Sequence, residues 1–269
     1  MIGARLEGML DGGPVFDPGS VWLVGAGPVD PGYLTVNAIR ALHQADTILH
    51  DALIDDRILD LARPEAHRIF SGKRAGVHSI DQAALCARMI GLARSGQRVL
   101  RLKGGDPMVF GRGGEEMLRL AEAEIPFRII PGVTAGLAAM AVASIPATLR
   151  DVNRAVVFAT GHEAADTGET DWAALARLGQ PLVLYMALRR LNGIAHRLIA
   201  GGMPPETPLA VISSATRSDE EILISTLGAV AEDRRRRAIE PPAIVVIGEI
   251  VKTRERLLHV APALAGALV

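Results

Sequence analysis

The residues best suited to chemistry lie in one loop, residues 103–114, with two glutamates directly after it. Glycines surround Asp106 and Arg112, and glycine lets a backbone approach a ligand closely. Arg112 can grip a carboxylate through two parallel hydrogen bonds, while carboxylates such as Asp106 can accept hydrogen bonds or protons. A structural interpretation stays open, in which Arg112 pairs with a local glutamate and Glu115 and Glu116 favour a helix start.

A second glycine turn, residues 25–28, follows an apolar run and looks like the start of a dinucleotide-binding fingerprint. The next glycine of that fingerprint is absent. Pro28 and Pro31 also oppose a helix that begins with free N–H groups aimed at a pyrophosphate. We therefore expect no Rossmann dinucleotide site.

Composition limits the classes of partner. The chain has 269 residues, of which 49% are hydrophobic, and its charges nearly cancel to −1 at pH 7, so a nucleic-acid partner is not expected. Cys86 is the only cysteine and lies in an apolar stretch, so we predict a buried thiol, and the seven histidines lack a metal-binding spacing, so we predict no metal. Neither a secretory signal nor a membrane span is recognisable, which indicates a cytoplasmic protein.

Apolar runs and helical patterns alternate regularly in the first half of the chain. Strands are predicted at 20–25, 47–50, 68–70, 99–102 and 127–130. Helices are predicted from a cap at Thr35, at 80–94 with a capping box of Ser79 and Gln82, at 115–123 and at 135–143. This alternation predicts a mainly parallel α/β sheet whose ligands gather beyond the carboxyl ends of the strands.

The second half repeats the alternation with a mixed sheet. Strands are predicted at 155–159, 182–185, 209–213, 221–225 and 243–247, with 221–226 as a hairpin partner. The basic run 234–237 is interpreted as the solvated end of a helix that begins near Leu227. We predict a leader at 1–18, an N-terminal α/β domain at 19–132 and a C-terminal α/β domain at 133–269.

Ordered motifs along the chain resemble those of the uroporphyrinogen-III C-methyltransferases, S-adenosylmethionine-dependent enzymes of the tetrapyrrole methylase family. The motifs are GAGPVDPGYLT at 25–35, HDALI at 50–54, GKR at 72–74, LKGGDPMVFGRGGEE at 102–116 and PGVTAG at 131–136. GH at 161–162, YMA at 185–187, AT at 215–216 and PPAIVVIGE at 241–249 extend the likeness over roughly residues 19–252.

The resemblance implies the tetrapyrrole-methylase fold, with two α/β domains, an active-site cleft between them and no Rossmann methyltransferase architecture, in a homodimer. It implies S-adenosyl-L-methionine as the cofactor, with S-adenosyl-L-homocysteine as its product. The cofactor contacts carried over by motif position are Pro28, Gly104, Gly105, Asp106, Val109, Thr134, Ala135, Met186, Ala215 and Ala243. In an unfamiliar sequence, Met186 would be interpreted as an ordinary core methionine.

The implied reaction methylates C2 and C7 of uroporphyrinogen III, a flexible tetrapyrrole with eight carboxylates, to give precorrin-2. By resemblance Asp51 accepts a proton and Lys73 donates one, with Arg112 as another candidate for proton handling and Glu115 nearby. The structural alternatives are a strand-end turn residue for Asp51 and a carboxylate partner for Lys73. The expected substrate contacts are Arg112, Glu115, Arg150, His162 and Met186, with Arg154 a further cation.

Three positions depart from the family pattern. At Val29 the family usually has glycine, so we expect a changed backbone or an extended valine. Met108 and Leu149 replace an aromatic and a polar residue, respectively.

Two other functions stay open. One alternative is a C-methyltransferase of a later corrinoid intermediate, and another is a non-catalytic cofactor-binding regulator. Whether cobalamin, sirohaem or haem d1 synthesis uses the product is also left open.

Overall fold

The structure is a computed structural model that describes residue 8 and residues 12–72, 81–162 and 170–261. The chain divides into two compact units, Met1–Ala135 and Gly136–Val269. Within the described residues the strands form two five-stranded sheets, one in each unit. The division falls three residues after the domain boundary expected from the sequence.

The first unit is built around a parallel sheet with strand order β3-β2-β4-β1-β5. Its strands are β1 (Val21–Gly25), β2 (Thr47–His50), β3 (His67–Phe70), β4 (Val99–Lys103) and β5 (Phe127–Ile130). Its helices are α1 (Val36–Gln44), α2 (Asp56–Leu59), α3 (Gln82–Arg94) and α4 (Gly113–Glu122), with a 3-10 turn at Pro31–Tyr33. The predicted parallel sheet is confirmed by the pairing of β1 with β4 and β5 and of β2 with β3 and β4.

Helices cover both faces of this sheet because its strands are apolar on both sides. Trp22 and Val24 pack with α1 on one face, while Val21 and Leu23 pack with α3 and α4 on the other. Residues that alternate along β4 follow the same rule, so Val99, Arg101 and Lys103 share the face that meets α3 and α4. Two basic side chains are thereby directed into the interior.

In the first unit, side-chain caps mark the starts of α1 and α2, whereas the N-caps of α3 and α4 make no such hydrogen bond. The Thr35 hydroxyl accepts a hydrogen bond from Ala38 N at 3.1 Å, which confirms the predicted cap of α1. The capping box predicted for the helix at 80–94 is wrong at Gln82. Asp81 is the N-cap of α3, and the Gln82 side chain donates instead to Glu116 Oε1 at 3.0 Å. Ser79 lies outside the described residues.

The second unit holds a mixed sheet with strand order β6-β7-β10-β8-β9. Its strands are β6 (Val157–Thr160), β7 (Leu182–Tyr185), β8 (Pro208–Ser213), β9 (Glu221–Thr226) and β10 (Ala243–Ile247). Its helices are α5 (Ala135–Val142), α6 (Trp172–Arg177), α7 (Leu191–Ala200), α8 (Val230–Arg236) and α9 (Lys252–Val260), with 3-10 turns at Leu188–Arg190 and Glu249–Val251.

The pairing of the second sheet confirms the mixed sheet and the hairpin predicted from the sequence, since β8 and β9 are antiparallel while β6 and β7 are parallel. β6 begins later than predicted, because the N–H groups of Arg154 and Ala155 donate to the Gln180 side chain instead of to a neighbouring strand. The basic residues 234–236 lie in the last turn of α8, as predicted.

Candidate active site

Three glycines bring the carboxyl ends of β1, β4 and β5 into backbone contact. A Cβ atom added at Gly25 would lie 2.6 Å from both Gly105 O and Gly132 N, which is closer than a side chain can approach. Gly105 also has a φ of 67° and exchanges two hydrogen bonds with Gly27, at 2.8 and 3.1 Å. The result is a close-packed junction without side chains at the end of the parallel sheet where ligands of such sheets bind; Gly25 and Gly105 are buried and Gly132 is half-buried.

The Asp106 carboxylate stabilises this junction by accepting two backbone hydrogen bonds. Its Oδ1 accepts a hydrogen bond from Met108 N at 2.7 Å, and its Oδ2 accepts one from Gly132 N at 3.0 Å. The carboxylate therefore ties the loop after β4 to the turn after β5. Sequence reasoning assigned Asp106 to cofactor contact only and gave no sign of this second role.

Arg112 and Glu115 form an exposed pair at the start of α4. Arg112 has a left-handed backbone, with φ of 60°, and donates from Nε and Nη2 to the two Glu115 carboxylate oxygens at 2.9 and 2.6 Å. This hydrogen bond lowers the pKa of Glu115, so the carboxylate is ionised near neutral pH. The local pairing left open by the sequence is present, yet both side chains are half exposed and within reach of a ligand.

Asp51 directly follows β2 and is bound by a buried arginine. Arg101 Nη2 donates to Asp51 Oδ1 at 2.5 Å, Arg101 Nε donates to Glu116 Oε1 at 3.2 Å, and Lys103 Nζ donates to the same Glu116 oxygen at 3.0 Å. Burial, followed by the charge of Arg101, lowers the pKa of Lys103. Asp51 therefore both ends the strand and pairs with a buried arginine.

Sequence reasoning gave Arg101 no role, included Lys103 and Glu116 only as part of the segment 103–116, and predicted no contact among the three. The sequence of β4 contains a signal for this cluster, because Arg101 and Lys103 occupy alternate positions in a strand that is otherwise apolar. Such a strand must direct its charges either to solvent or to buried partners. Glu116, which is fully buried, is that partner.

In the second unit, strand register places several expected site residues at one end of the sheet. β6 and β7 end together, since Thr160 pairs with Tyr185, and the antiparallel β10 begins where β8 ends, since Ala243 pairs with Ser213. The segments that follow or begin these strands contain His162, Met186, Ala215 and Ala243. These four residues share one end of the sheet.

Met186 is not a core residue, so the interpretation that an unfamiliar sequence would suggest is wrong. It follows a fully buried strand but is itself 53% exposed, and its backbone has φ of 53°. A left-handed conformation in a residue that is not glycine is uncommon and often marks a functional position. The geometry favours a ligand contact at Met186.

The loop after β8 is stabilised by hydrogen bonds to two of its own carboxylates. Ser214 and Thr216 flank Ala215 and both have left-handed backbones, with φ of 49° and 72°. Ser214 Oγ donates to Asp219 Oδ2 at 3.0 Å, and Thr216 N donates to Glu220 Oε2 at 2.8 Å. Ala215 is thereby presented at a fixed, half-buried bend.

Val29 corrects one expectation of the sequence analysis. Its φ is 77°, so it is not extended and instead keeps the left-handed conformation that a glycine would adopt. The neighbouring Asp30 stabilises the turn, since its Oδ1 accepts a hydrogen bond from Gly32 N at 2.7 Å. The β-branched residue is therefore accommodated at a conformational cost.

The remaining expected site residues differ in exposure. Pro28 and Thr134 are buried, Val109 and Ala135 are half-buried, and Arg150, Arg154 and His162 are exposed. Ala135 is the first residue of α5. Lys73, the expected proton donor, lies outside the described residues. The structure therefore groups expected site residues at one end of the first sheet and, independently, at one end of the second.

Neither a metal-binding cluster nor a membrane-crossing helix occurs in the described part of the chain. In residues 12–72, 81–162 and 170–261, no group of three or more His, Cys, Asp and Glu side chains is arranged to hold a metal ion. In the same residues no helix is both long enough and apolar enough to cross a membrane.

Comparison with known proteins gives a consistent set of relatives. The family model of tetrapyrrole (corrin/porphyrin) methylases matches residues 20–231. A uroporphyrinogen-III C-methyltransferase from Sinorhizobium sp. is 48% identical over 94% of this chain and 91% of its own length. A siroheme synthase from Hahella chejuensis is 45% identical over 94% of this chain, which spans only 55% of that longer protein.

Solved structures agree with these relatives. The uroporphyrin-III C-methyltransferase of Thermus thermophilus, crystallised with S-adenosyl homocysteine, has a TM-score of 0.75 and 36% identity over 87% of this chain and 99% of its own. A cobalt precorrin-4 methyltransferase has a TM-score of 0.78 and 26% identity over 87% of this chain and 96% of its own. The fold class predicted from the sequence is confirmed.

Proposed function

Because the chain belongs to the tetrapyrrole (corrin/porphyrin) methylases, we propose that it transfers methyl groups from S-adenosyl-L-methionine to C2 and C7 of uroporphyrinogen III. The products are precorrin-2 and S-adenosyl-L-homocysteine. The observation that carries this proposal is 48% identity to a uroporphyrinogen-III C-methyltransferase across nearly the full length of both proteins.

The residues present fit the cofactor. A close-packed glycine junction keeps side chains away from the end of the first sheet, and small residues follow or begin the strands at one end of the second. We assign cofactor contact to Pro28, Gly104, Gly105, Asp106, Val109, Thr134, Ala135, Met186, Ala215 and Ala243. When bound, S-adenosyl-L-methionine supplies a methyl group on a positively charged sulfur, which an electron-rich carbon can accept without a metal.

Cations on these segments suit a substrate with many carboxylates. Arg112 donates two hydrogen bonds to the Glu115 carboxylate. A substrate carboxylate can therefore replace that of Glu115 while the guanidinium moves little. Arg150, which is exposed, is assigned to a second carboxylate. Glu115, His162 and Met186 complete the proposed substrate contacts.

A proton must leave the tetrapyrrole after the new carbon–carbon bond forms, and Asp51 is the proposed acceptor. Its side chain remains about 30% exposed while its position is fixed by Arg101. A carboxylate held in this way can accept a proton without first reorienting. Lys73, outside the described residues, is the proposed proton donor.

The test is anaerobic incubation of the protein with uroporphyrinogen III and methyl-labelled S-adenosyl-L-methionine. Two labelled methyl groups in the product support the proposal. Methylation of a later corrinoid intermediate, with none of uroporphyrinogen III, would establish the alternative that the likeness to a precorrin-4 methyltransferase suggests. Cofactor binding without methylation of any tetrapyrrole would establish the non-catalytic regulator.

The role of Asp51 is tested by Asp51→Asn, which keeps the side-chain shape but removes the charge. We expect methyl transfer to fall by roughly 100-fold or more while affinity for S-adenosyl-L-homocysteine changes little. Asp60→Asn, on the same connection but 70% exposed, is the matched control and should retain normal turnover. Equal loss of cofactor affinity and turnover in Asp51→Asn would make Asp51 a structural residue.

We also propose that the protein acts as a cytoplasmic homodimer. This proposal rests on the family resemblance. Light scattering of the purified protein tests it, since a mass of twice the chain would support the dimer and a mass of one chain would refute it.

A further inference from the structure

A buried ionic cluster, formed by Arg101, Lys103 and Glu116, lies behind Asp51 in the first unit. Their side chains are 5%, 3% and 0% exposed. Arg101 and Lys103 project from the same face of β4, and α4 brings Glu116 against both. The cluster is therefore part of the interior and cannot itself meet a ligand from solvent.

Stability alone does not explain such a cluster. Moving charges out of water is costly, and apolar residues of similar volume often replace a buried ion pair with no loss of stability. The second Glu116 oxygen, Oε2, is buried and makes no hydrogen bond within the described residues, which adds to that cost. A function for the cluster is the better explanation.

Arg101 connects the cluster to the proposed site. Its guanidinium meets three side chains at once, namely Asp51 Oδ1 at 2.5 Å, Glu116 Oε1 at 3.2 Å and Ser71 Oγ at 3.1 Å. Such a planar fork has little freedom to rotate. Asp51 is the partly exposed member of the group, so one side of its carboxylate faces Arg101 while the rest stays accessible.

Glu116 fixes Arg101 from the opposite side. A single oxygen, Oε1, accepts hydrogen bonds from Arg101, Lys103 and Gln82, the last two at 3.0 Å each. The donors come from β4 and α3, while the acceptor comes from α4. Three separate elements thus determine where the Arg101 guanidinium lies.

We propose that Arg101 is a positioning residue for methyl transfer, which holds the Asp51 carboxylate in the one orientation that accepts the proton, with Glu116 as its anchor. The proposal rests on the function proposed for Asp51. It requires arginine, because lysine offers a single nitrogen and cannot reach Asp51, Glu116 and Ser71 together.

The test is a double-mutant cycle of Arg101→Lys and Asp51→Asn, with single-turnover methylation of uroporphyrinogen III as the readout. In the otherwise unchanged protein, Arg101→Lys should slow methyl transfer by about 10- to 100-fold, a loss as large as that found when the hydrogen-bond partner of a metal ligand is removed. Affinity for S-adenosyl-L-homocysteine, measured by calorimetry, should stay within about threefold, because Arg101 does not act on the cofactor.

The cycle separates positioning from structural support. If Arg101 acts through Asp51, then Arg101→Lys should add less than about a threefold loss in the Asp51→Asn background, since coupled residues are not additive. A full additional loss would overturn the proposal and give Arg101 a general structural role. Normal turnover of Asp51→Asn would also overturn it, while methylation of uroporphyrinogen III by the unmodified protein would still uphold the proposed function.

Two further variants keep the test decisive. Arg98→Lys is the matched control, because Arg98 precedes the other end of β4 and pairs with Asp46 at 3.5 Å; its turnover should be unchanged. If Arg101→Lys does not fold, Ser71→Ala removes one anchor and no charge. It should slow methyl transfer by about two- to fivefold, the loss of a weak hydrogen bond, and only when Asp51 is present. Unchanged turnover in Ser71→Ala would then refute the proposal.

Discussion

Glu116→Gln removes the single negative charge on which the buried cluster converges. Arg101 and Lys103 would remain in the interior, and the glutamine amide can offer its oxygen to only part of the donors that now share Glu116 Oε1. Breaking a buried ion pair from one side typically costs about 3–5 kcal/mol. We expect the free energy of unfolding to fall by an amount in that range.

The neighbouring residue supplies the control for this prediction. Glu115 is on the same turn of α4, but its side chain is 56% exposed and its ion pair with Arg112 is solvated. Surface pairs contribute about 1 kcal/mol at most, so Glu115→Gln should change the free energy of unfolding by no more than that. Denaturant unfolding followed by circular dichroism measures both variants, and equal losses would refute the reasoning.

The loss of stability caused by Glu116→Gln should depend on pH, because Glu116 affects the pKa of Lys103. Burial lowers the pKa of Lys103 in the folded protein below its ordinary 10.5, the value in the unfolded chain. At a pH between these two pKa values the unfolded chain binds more protons than the folded protein, so the free energy of unfolding rises with pH. Loss of Glu116 removes an attraction that raises this pKa and therefore widens the window toward neutral pH. The stability difference between the two proteins should shrink as pH rises toward 10.5, and a difference independent of pH would contradict this account.

Three other predictions concern separate parts of the molecule. Arg112→Lys should lower kcat/KM for uroporphyrinogen III by about tenfold or more, because two-point binding of a carboxylate is lost; near-normal steady-state kinetics would exclude that role. Val29→Gly should raise the free energy of unfolding by up to about 1 kcal/mol, since it relieves a left-handed backbone, and a lower denaturation midpoint would contradict this. Burial raises the pKa of Cys86, so the thiol should react with a colorimetric thiol reagent orders of magnitude more slowly in native than in denatured protein; rapid native labelling would show that Cys86 is accessible.

The sheets were predictable because buried strands are short apolar runs that end at glycine or a polar residue. The strands at 47–50, 127–130, 182–185 and 243–247 begin and end at the predicted residues. No helix was predicted between residues 185 and 209, although Leu191, Ile194, Ala195 and Leu198 have the spacing of an apolar helix face. The single turn α2 depends on a cap at Asp55 and has too few residues to show any period.

The chemistry of single residues indicates a candidate such as Arg112, and Met186 enters only through the resemblance of its motif. The partners of Asp51 follow from neither. Arg101 is distant from Asp51 in sequence, and its burial depends on how α4 packs against β4. A pattern within one segment cannot reveal a contact that three elements create together.

The junction of Gly25, Gly105 and Gly132 has a consequence for any map of mutational tolerance. A side chain at Gly25 or Gly132 would overlap backbone atoms of a neighbouring strand end, so even alanine should be rejected there. Such a map would score these positions as severely as Asp51, although none of them has a side chain that could react. Intolerance at this point of the chain would therefore measure the closeness of three backbones and not participation in chemistry.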